Sequence, residues 1–170
     1  MLIIFSGLPG TGKTTIAREI ARRLGAVYLR VDSIEQALKD CSLRLDDIAD
    51  AGYAAGMAVA EDNLGQGLLV VADSVNPWPL TREAWRDAAR RAGVAFADVE
   101  IVCSDEAEHR RRVEGRASDI PGHVLPTWAE VVSRDYRPWE SGRIVLDTAG
   151  RTAAASAAEL LAKLPPLTTR

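Results

Sequence analysis

Met1-Leu-Ile-Ile-Phe-Ser-Gly7-Leu-Pro-Gly-Thr-Gly-Lys13-Thr14 is the stretch that decides the fold. Residues 2–6 form a short apolar run ended by glycine, the pattern of a strand buried on both faces. Residues 7–14 fit G-x-x-x-x-G-K-[ST]; Ile16, Ile20 and Leu24 then recur at helical spacing, with Gly25 as the stop. A strand before this motif and a helix opening from it are the context that gives it meaning. Through Gly7, Pro9, Gly10, Thr11 and Gly12 the backbone N–H groups turn inward as an anion nest, and the helix adds its positive N-terminal end. Lys13 is expected to reach the β- and γ-phosphates of ATP and Thr14 to ligate Mg²⁺. Thr15 is expected to donate to the α-phosphate.

Working outward, residues 27–31 read as a second strand, and Asp32 and Ser33 are expected to cap a helix that begins at Ile34. The Ala-rich stretch 45–64 predicts a helix, with Gly52 and Gly56 allowing close packing. Residues 67–72 are the most apolar run and predict the central strand, ended by Asp73. A helix over 81–91 capped by Thr81, a strand over 98–103 and an Arg-rich helix from Asp105 to about 116 follow. Residues 117–126 hold two prolines and a glycine and read as loop. A helix over 127–136, a strand over 143–146 and a final helix over 153–164 complete the pattern. Strands alternating with helices predict an α/β fold with a parallel sheet.

The 170 residues suit one domain able to bury its own core. A hydrophobic share of 47% and a charged share of 26% exclude disordered and collagen-like classes. The net charge of −3 gives no basic field, which disfavours nucleic acid as a partner. Cys41 and Cys103 lack metal or disulfide spacing and are expected to be buried thiols. The apolar start has no basic leader, and no apolar run approaches the roughly 18 residues that span a bilayer, so a cytoplasmic enzyme is expected.

Beyond the loop, Asp32, Asp73 and Arg112-Val-Glu-Gly-Arg116 carry a resemblance over nearly the whole chain. The sequence resembles the nucleoside monophosphate kinase-like group of P-loop small-molecule kinases, which includes adenylate, shikimate and gluconate kinases and chloramphenicol phosphotransferase. The resemblance implies a five-stranded parallel sheet in the order 2-3-1-4-5, sandwiched by helices. It implies a single domain over 1–170 with a mobile lid at about 112–128. It implies that Asp32 orients or deprotonates the acceptor hydroxyl and that Asp73 holds Mg²⁺ as a Walker-B-like acid. Arg112 is implied to stack on adenine, and Arg116 to face the transferring phosphoryl group. Arg134, more than Arg137, is implied to be a further phosphate-binding arginine. The function so implied is transfer of the γ-phosphoryl group of ATP to a small-molecule hydroxyl, by a monomer or homodimer.

The third strand runs on as Ala72-Asp-Ser-Val-Asn76 rather than the Asp-Gly-[Phe/Tyr]-Pro of adenylate kinases, and the lid is short, which weakens a nucleoside monophosphate as acceptor. Arg30-Val-Asp-Ser-Ile34 looks more like the antibiotic- and metabolite-directed kinases. His123 and Trp78 are weaker substrate-contact candidates, each with a bland alternative: solvent exposure for the histidine and loop packing for the tryptophan. A GTPase lacks its Asn-Lys-x-Asp motif, and an AAA⁺ machine its Asp-Glu acid pair and oligomer-scale length. A nucleotide-binding regulator without transfer activity and a polynucleotide or zeta-toxin-like kinase remain as alternatives.

Overall fold

The computed structural model describes residues 1–42, 47–140 and 142–166. Its strands are β1 (Leu2–Ser6), β2 (Val27–Arg30), β3 (Val70–Asp73), β4 (Phe96–Val102) and β5 (Ile144–Asp147). Its helices are α1 (Lys13–Leu24), α2 (Val31–Lys39), α3 (Ala51–Gly65), α4 (Pro79–Arg91), α5 (Glu106–Gly115), α6 (Trp128–Val132) and α7 (Ala153–Lys163). The sheet is parallel and five-stranded in the order β2-β3-β1-β4-β5, as the resemblance implied.

Because side chains alternate across a strand, β1 feeds two cores at once. Ile3 and Phe5 pack with Ile16 and Ile20 of α1 and Leu160 of α7. Leu2 and Ile4 face the other way, toward Leu64 of α3 and Trp85 of α4. Burial on both faces is the reason the strand reads as a continuous apolar run. Chain neighbours β1 and β2 are not paired; β3 lies between them, and β4 flanks β1 on its other side. The crossover from β1 runs toward β2, and that from its neighbour β3 runs the other way toward β4, opening a crevice beyond the carboxyl ends of the strands. Ser6, Arg30 and Asp73 all stand at that edge.

Several boundaries shift from the expectation. The helix after β2 starts at Val31, and neither Asp32 nor Ser33 caps it, because its N-cap is the extended Arg30 with no side-chain bond. Pro79 opens α4 at the first helical position, where a missing N–H costs nothing, so Thr81 lies inside the helix. Thr127 caps α6 through a reciprocal box with Glu130, but α6 ends at Val132 rather than 136. The helix expected over 45–64 begins only at Ala51 and runs to Gly65 as α3; residues 47–50 are not helical, and 45–46 lie outside the described ones. Cys41 and Cys103 are free and partly exposed, not buried. The close-packing role of two glycines holds: a Cβ on Gly56 would lie 3.3 Å from the buried Trp85 ring.

Thr152 caps α7 by accepting the Ala155 N–H at 3.2 Å. Thr152→Ala should therefore cost about 1 kcal/mol, a melting shift of roughly 2–4 °C. Calorimetry on the purified chain checks it.

Candidate active site

The loop at 7–14 is shaped by glycine where no other residue fits. Gly7, Gly10 and Gly12 have positive φ, and a Cβ on Gly7 would sit 2.3 Å from the Ile101 carbonyl oxygen. On Gly10 it would sit 2.4 Å from a methyl of Val113. Gly12 is the N-cap of α1 and offers no side-chain cap, so the first-turn N–H groups stay open to an anion. Pro9 is fixed from behind, its carbonyl accepting from His109 Nε2 at 2.9 Å, and His109 meets the Trp128 ring edge-on at 5.1 Å. Thr11 donates to the Leu8 carbonyl, while its own carbonyl accepts from Thr148 Oγ1 at 2.8 Å.

Lys13 and Asp73 meet in one buried ion pair, Nζ to Oδ1 at 2.8 Å. Tyr28 donates to the other carboxylate oxygen at 2.7 Å. Burial alone would raise the Asp73 pKa; the Lys13 ammonium and hydrogen bonds from Lys13, Tyr28 and Thr14 outweigh it and hold the carboxyl below its usual range. Burial and the Asp73 charge together push the Tyr28 phenol up. Thr14 and Asp73 are thus side-chain neighbours, two oxygens at one spot as a hard cation requires. Thr15 is exposed and opens into the same space.

That space is a cleft of about 1240 Å³. Lys13, Thr14 and Thr15 of α1 line it, as do Asp32 and Glu35 of α2, Tyr53 of α3, and Trp78. Asp32 sits in the first turn of α2 rather than at a strand end, 3.7 Å from Arg30 Nε. Since it caps nothing, its carboxylate is left for the cleft.

Arg112 and Arg116 both line the cleft but do not share a helix: α5 ends at Gly115, and Arg116 is its extended C-cap. Arg112 donates to Thr148 Oγ1 at 2.8 Å and to Glu108 at 2.5 Å, which sets it against the phosphate loop. Arg116 is different. Its Nε and Nη2 are buried without a hydrogen-bond partner among the described residues. Burial lowers its pKa against the pull of Asp32, with Arg30 adding to the lowering. Of the two later arginines, Arg134 lines the cleft, and Arg137 pairs with Asp135 at 2.7 Å.

Residues 116–127 carry no helix or strand. They are tied down at Asp119, whose carboxylate takes bonds from Arg18 at 2.5 Å and Arg30 at 2.8 Å. Those two guanidinium groups hold its pKa down to about 2. His123 and the exposed Val124 and Trp78 border the cleft.

Sequence reasoning missed Tyr28, Glu35, His109, Thr148 and Arg82. The last is buried and donates to the carbonyls of Asn76, Pro77, Arg137 and Pro138, with its guanidinium 4.1 Å over the Trp139 ring. It staples the loop after β3 to the segment before β5. No motif marks these residues; only Arg82, on a helix face otherwise aimed at the core, carried a signal.

Residues 2–134 match the family model of an AAA domain, AAA_33. The chain belongs to that family. Family and fold together show the resemblance to P-loop small-molecule kinases. The AAA name stands beside the expectation that this is no AAA⁺ machine, and Ser74, not glutamate, follows Asp73. The Mycobacterium tuberculosis (strain H37Rv) protein Rv2004c is 29% identical over 162 residues, taking in 88% of this chain and 32% of that protein. This kinase-family chain thus spans about a third of the length of its mycobacterial relatives, 32% in each. A cytidylate kinase of Ignicoccus hospitalis is 29% identical over 130 residues, 63% of this chain and 75% of the other. A solved gluconokinase of Sinorhizobium meliloti 1021 shares the fold, with a TM-score of 0.64 at 21% identity over 94% of this chain and 89% of that one. Among the described residues no helix is long and apolar enough to cross a membrane.

Proposed function

We propose that the chain is an ATP-dependent small-molecule kinase that transfers the γ-phosphoryl group to a hydroxyl held beside Asp32. One observation carries this: a single cleft joins the uncapped N-terminus of α1, with Lys13 and Thr14, to the Asp32 carboxylate and to Arg116, whose Nε and Nη2 have no partner among the described residues. A nucleotide switch has no use for the acceptor half.

The glycine cradle, with positive φ and no room for a Cβ, fits a triphosphate, and the paired oxygens of Thr14 and Asp73 fit Mg²⁺. Gly7, Pro9, Gly10, Thr11 and Gly12 would hold the phosphates through main-chain N–H groups, with Thr15 at the α-phosphate. When bound, Mg²⁺ supplies charge neutralisation between the β- and γ-phosphates. Lys13 would reach the phosphates, and Thr14 and Asp73 would be the residues that hold the cation. Asp32 accepts a hydrogen bond from the acceptor hydroxyl and aims its oxygen at phosphorus. Arg116, whose Nε and Nη2 are buried without a partner among the described residues, neutralises charge on the transferring group. Arg112 braces the loop through Thr148 and offers its face to the base, and Arg134 adds charge at the rim.

In this reading the chain works as one domain whose residues 112–128 close over the reactants. Asp119 is the lid's latch, anchored on α1 and β2 through Arg18 and Arg30. Deuterium uptake over 116–127 should slow when a non-hydrolysable ATP analogue is added and quicken in Asp119→Ala. Equal uptake in all three samples would remove the lid from the mechanism.

The experiment for the function as a whole is transfer of labelled phosphate from ATP to compounds in a hydroxyl-bearing metabolite library. The kinase names of the relatives leave the acceptor open, since cytidylate and gluconate differ in everything but their hydroxyls and their negative charge.

A further inference from the structure

Glu35 lies one turn beyond Asp32 on α2, so the two carboxylates share a helix face and both line the cleft. The stem of Glu35 is clamped by α3: a Cβ on Gly52 would fall 2.3 Å from Glu35 Cγ and 3.2 Å from Oε1. Glycine at 52 is therefore what lets this side chain lie where it does. The carboxylate is only partly exposed, yet it accepts no hydrogen bond and forms no ion pair with a described residue. Three more deeply buried carboxylates each have a cation beside them: Asp73 has Lys13, with Tyr28 donating as well, Glu100 has Arg143, with Tyr136 donating, and Asp98 has Arg86 at Oδ2, though its Oδ1 has no partner among the described residues.

Burial and the neighbouring Asp32 charge push the Glu35 pKa up, against a pull from Lys39 and Arg134 that comes from beyond ion-pair distance. Both effects mark a carboxylate short of a donor, and a half-buried charge without one is costly. Tyr53 and Trp78 line the same cleft, and Tyr53 is itself fixed, its hydroxyl accepting the Asn76 N–H at 3.0 Å.

Resting on the kinase reading, we propose that Glu35 selects the acceptor: the compound phosphorylated here offers Glu35 an O–H or N–H donor and has no anionic group on that side. A phosphate, sulfate or carboxylate placed there would face Asp32 and Glu35 together. The acceptor class is a polyhydroxy compound, neutral or bearing an amino group.

The test uses the whole chain and labelled ATP against a library of hydroxyl compounds grouped as neutral, amino-bearing and anionic. Glucose, glucosamine and gluconate serve as a matched set within it. Accepted compounds should be neutral or amino-bearing, and which of the two leads identifies the donor. For an accepted compound, Glu35→Gln should raise KM about tenfold or more with little change in the KM for ATP. Gly52→Ala should do the same by displacing the carboxylate, with a thermal melt to show that the variant is folded. Glu35→Arg should reverse the charge preference, which a merely structural role would not do. Acceptance mainly of anionic compounds by the wild type, or an unchanged acceptor KM in folded Glu35→Gln, overturns the assignment of Glu35 and leaves the kinase reading standing. Transfer to no compound in any group, with ATP still bound, overturns the kinase reading and Glu35's role with it.

Discussion

Lys13→Ala is expected to reduce phosphoryl transfer by about 10²–10³-fold, because the ammonium neutralises charge that develops on the phosphates in a site shielded from water. The structure adds a cost that the motif alone does not show. Lys13 is 7% exposed and its partner Asp73 1%, so removing the cation strands a buried carboxylate. Breaking such a pair costs about 3–5 kcal/mol, and the variant should melt well below the wild type. Lys13→Met combined with Asp73→Asn should regain most of that stability while staying inactive, since no charge is left unpaired. Labelled transfer and calorimetry on both variants separate the two effects. Full transfer in a folded Lys13→Ala protein would end the P-loop mechanism. The pH dependence has a definite sign. Asp73 is held below its ordinary pKa, so the stabilisation is complete at neutral pH, above the unfolded-state value, and is lost as acid carries the pH down through the folded value. Melts taken down an acid series should show the loss in the wild type and not in the double variant.

Asp32→Asn should lower transfer by about 10²-fold while leaving ATP affinity nearly unchanged. The carboxylate lines the cleft from α2 while Lys13 and Thr14 line it from α1, and asparagine keeps its size but not its charge. The structure strengthens this prediction. A helix-capping role would have made any loss of activity ambiguous, but Arg30 is the N-cap of α2 and Asp32 makes no cap. Asp32 also loses a partly buried 3.7 Å pairing with Arg30, side chains 30% and 10% exposed, so a thermal melt of the variant accompanies the kinetics. Steady-state kinetics against an accepted compound, with ATP binding by calorimetry, test it. Transfer at the wild-type rate would return Asp32 to the status of a surface carboxylate. The same variant separates a kinase from a nucleotide-binding regulator, which has no transfer to lose.

What the sequence determined by itself is what local chain chemistry encodes. Glycine at 7 and 10 sits where a Cβ would collide, and glycine at 12 has a positive φ, while residues 2–5 announce a doubly buried strand because every one of them is apolar. The alternation of strand and helix, with right-handed crossovers, then leaves few sheets besides the one observed. Boundaries were less legible where competing signals were close in strength: Asp32 and Ser33 both look like caps, yet β2 turns directly into α2 at Val31. What only the tertiary structure decided is which distant residues meet. Lys13 and Asp73 are 60 positions apart and pair because β3 lies beside β1. His109 supports Pro9 across 100 positions, and Thr148 supports Thr11 across 137. Glu35 looks in sequence like a surface charge on a helix, and that Arg116 Nε and Nη2 are buried without a partner among the described residues becomes visible only once the chain is packed. A side chain's pattern in the chain reports which way it faces; what it faces, and whether its charge is met there, depends on elements brought together from the rest of the sequence.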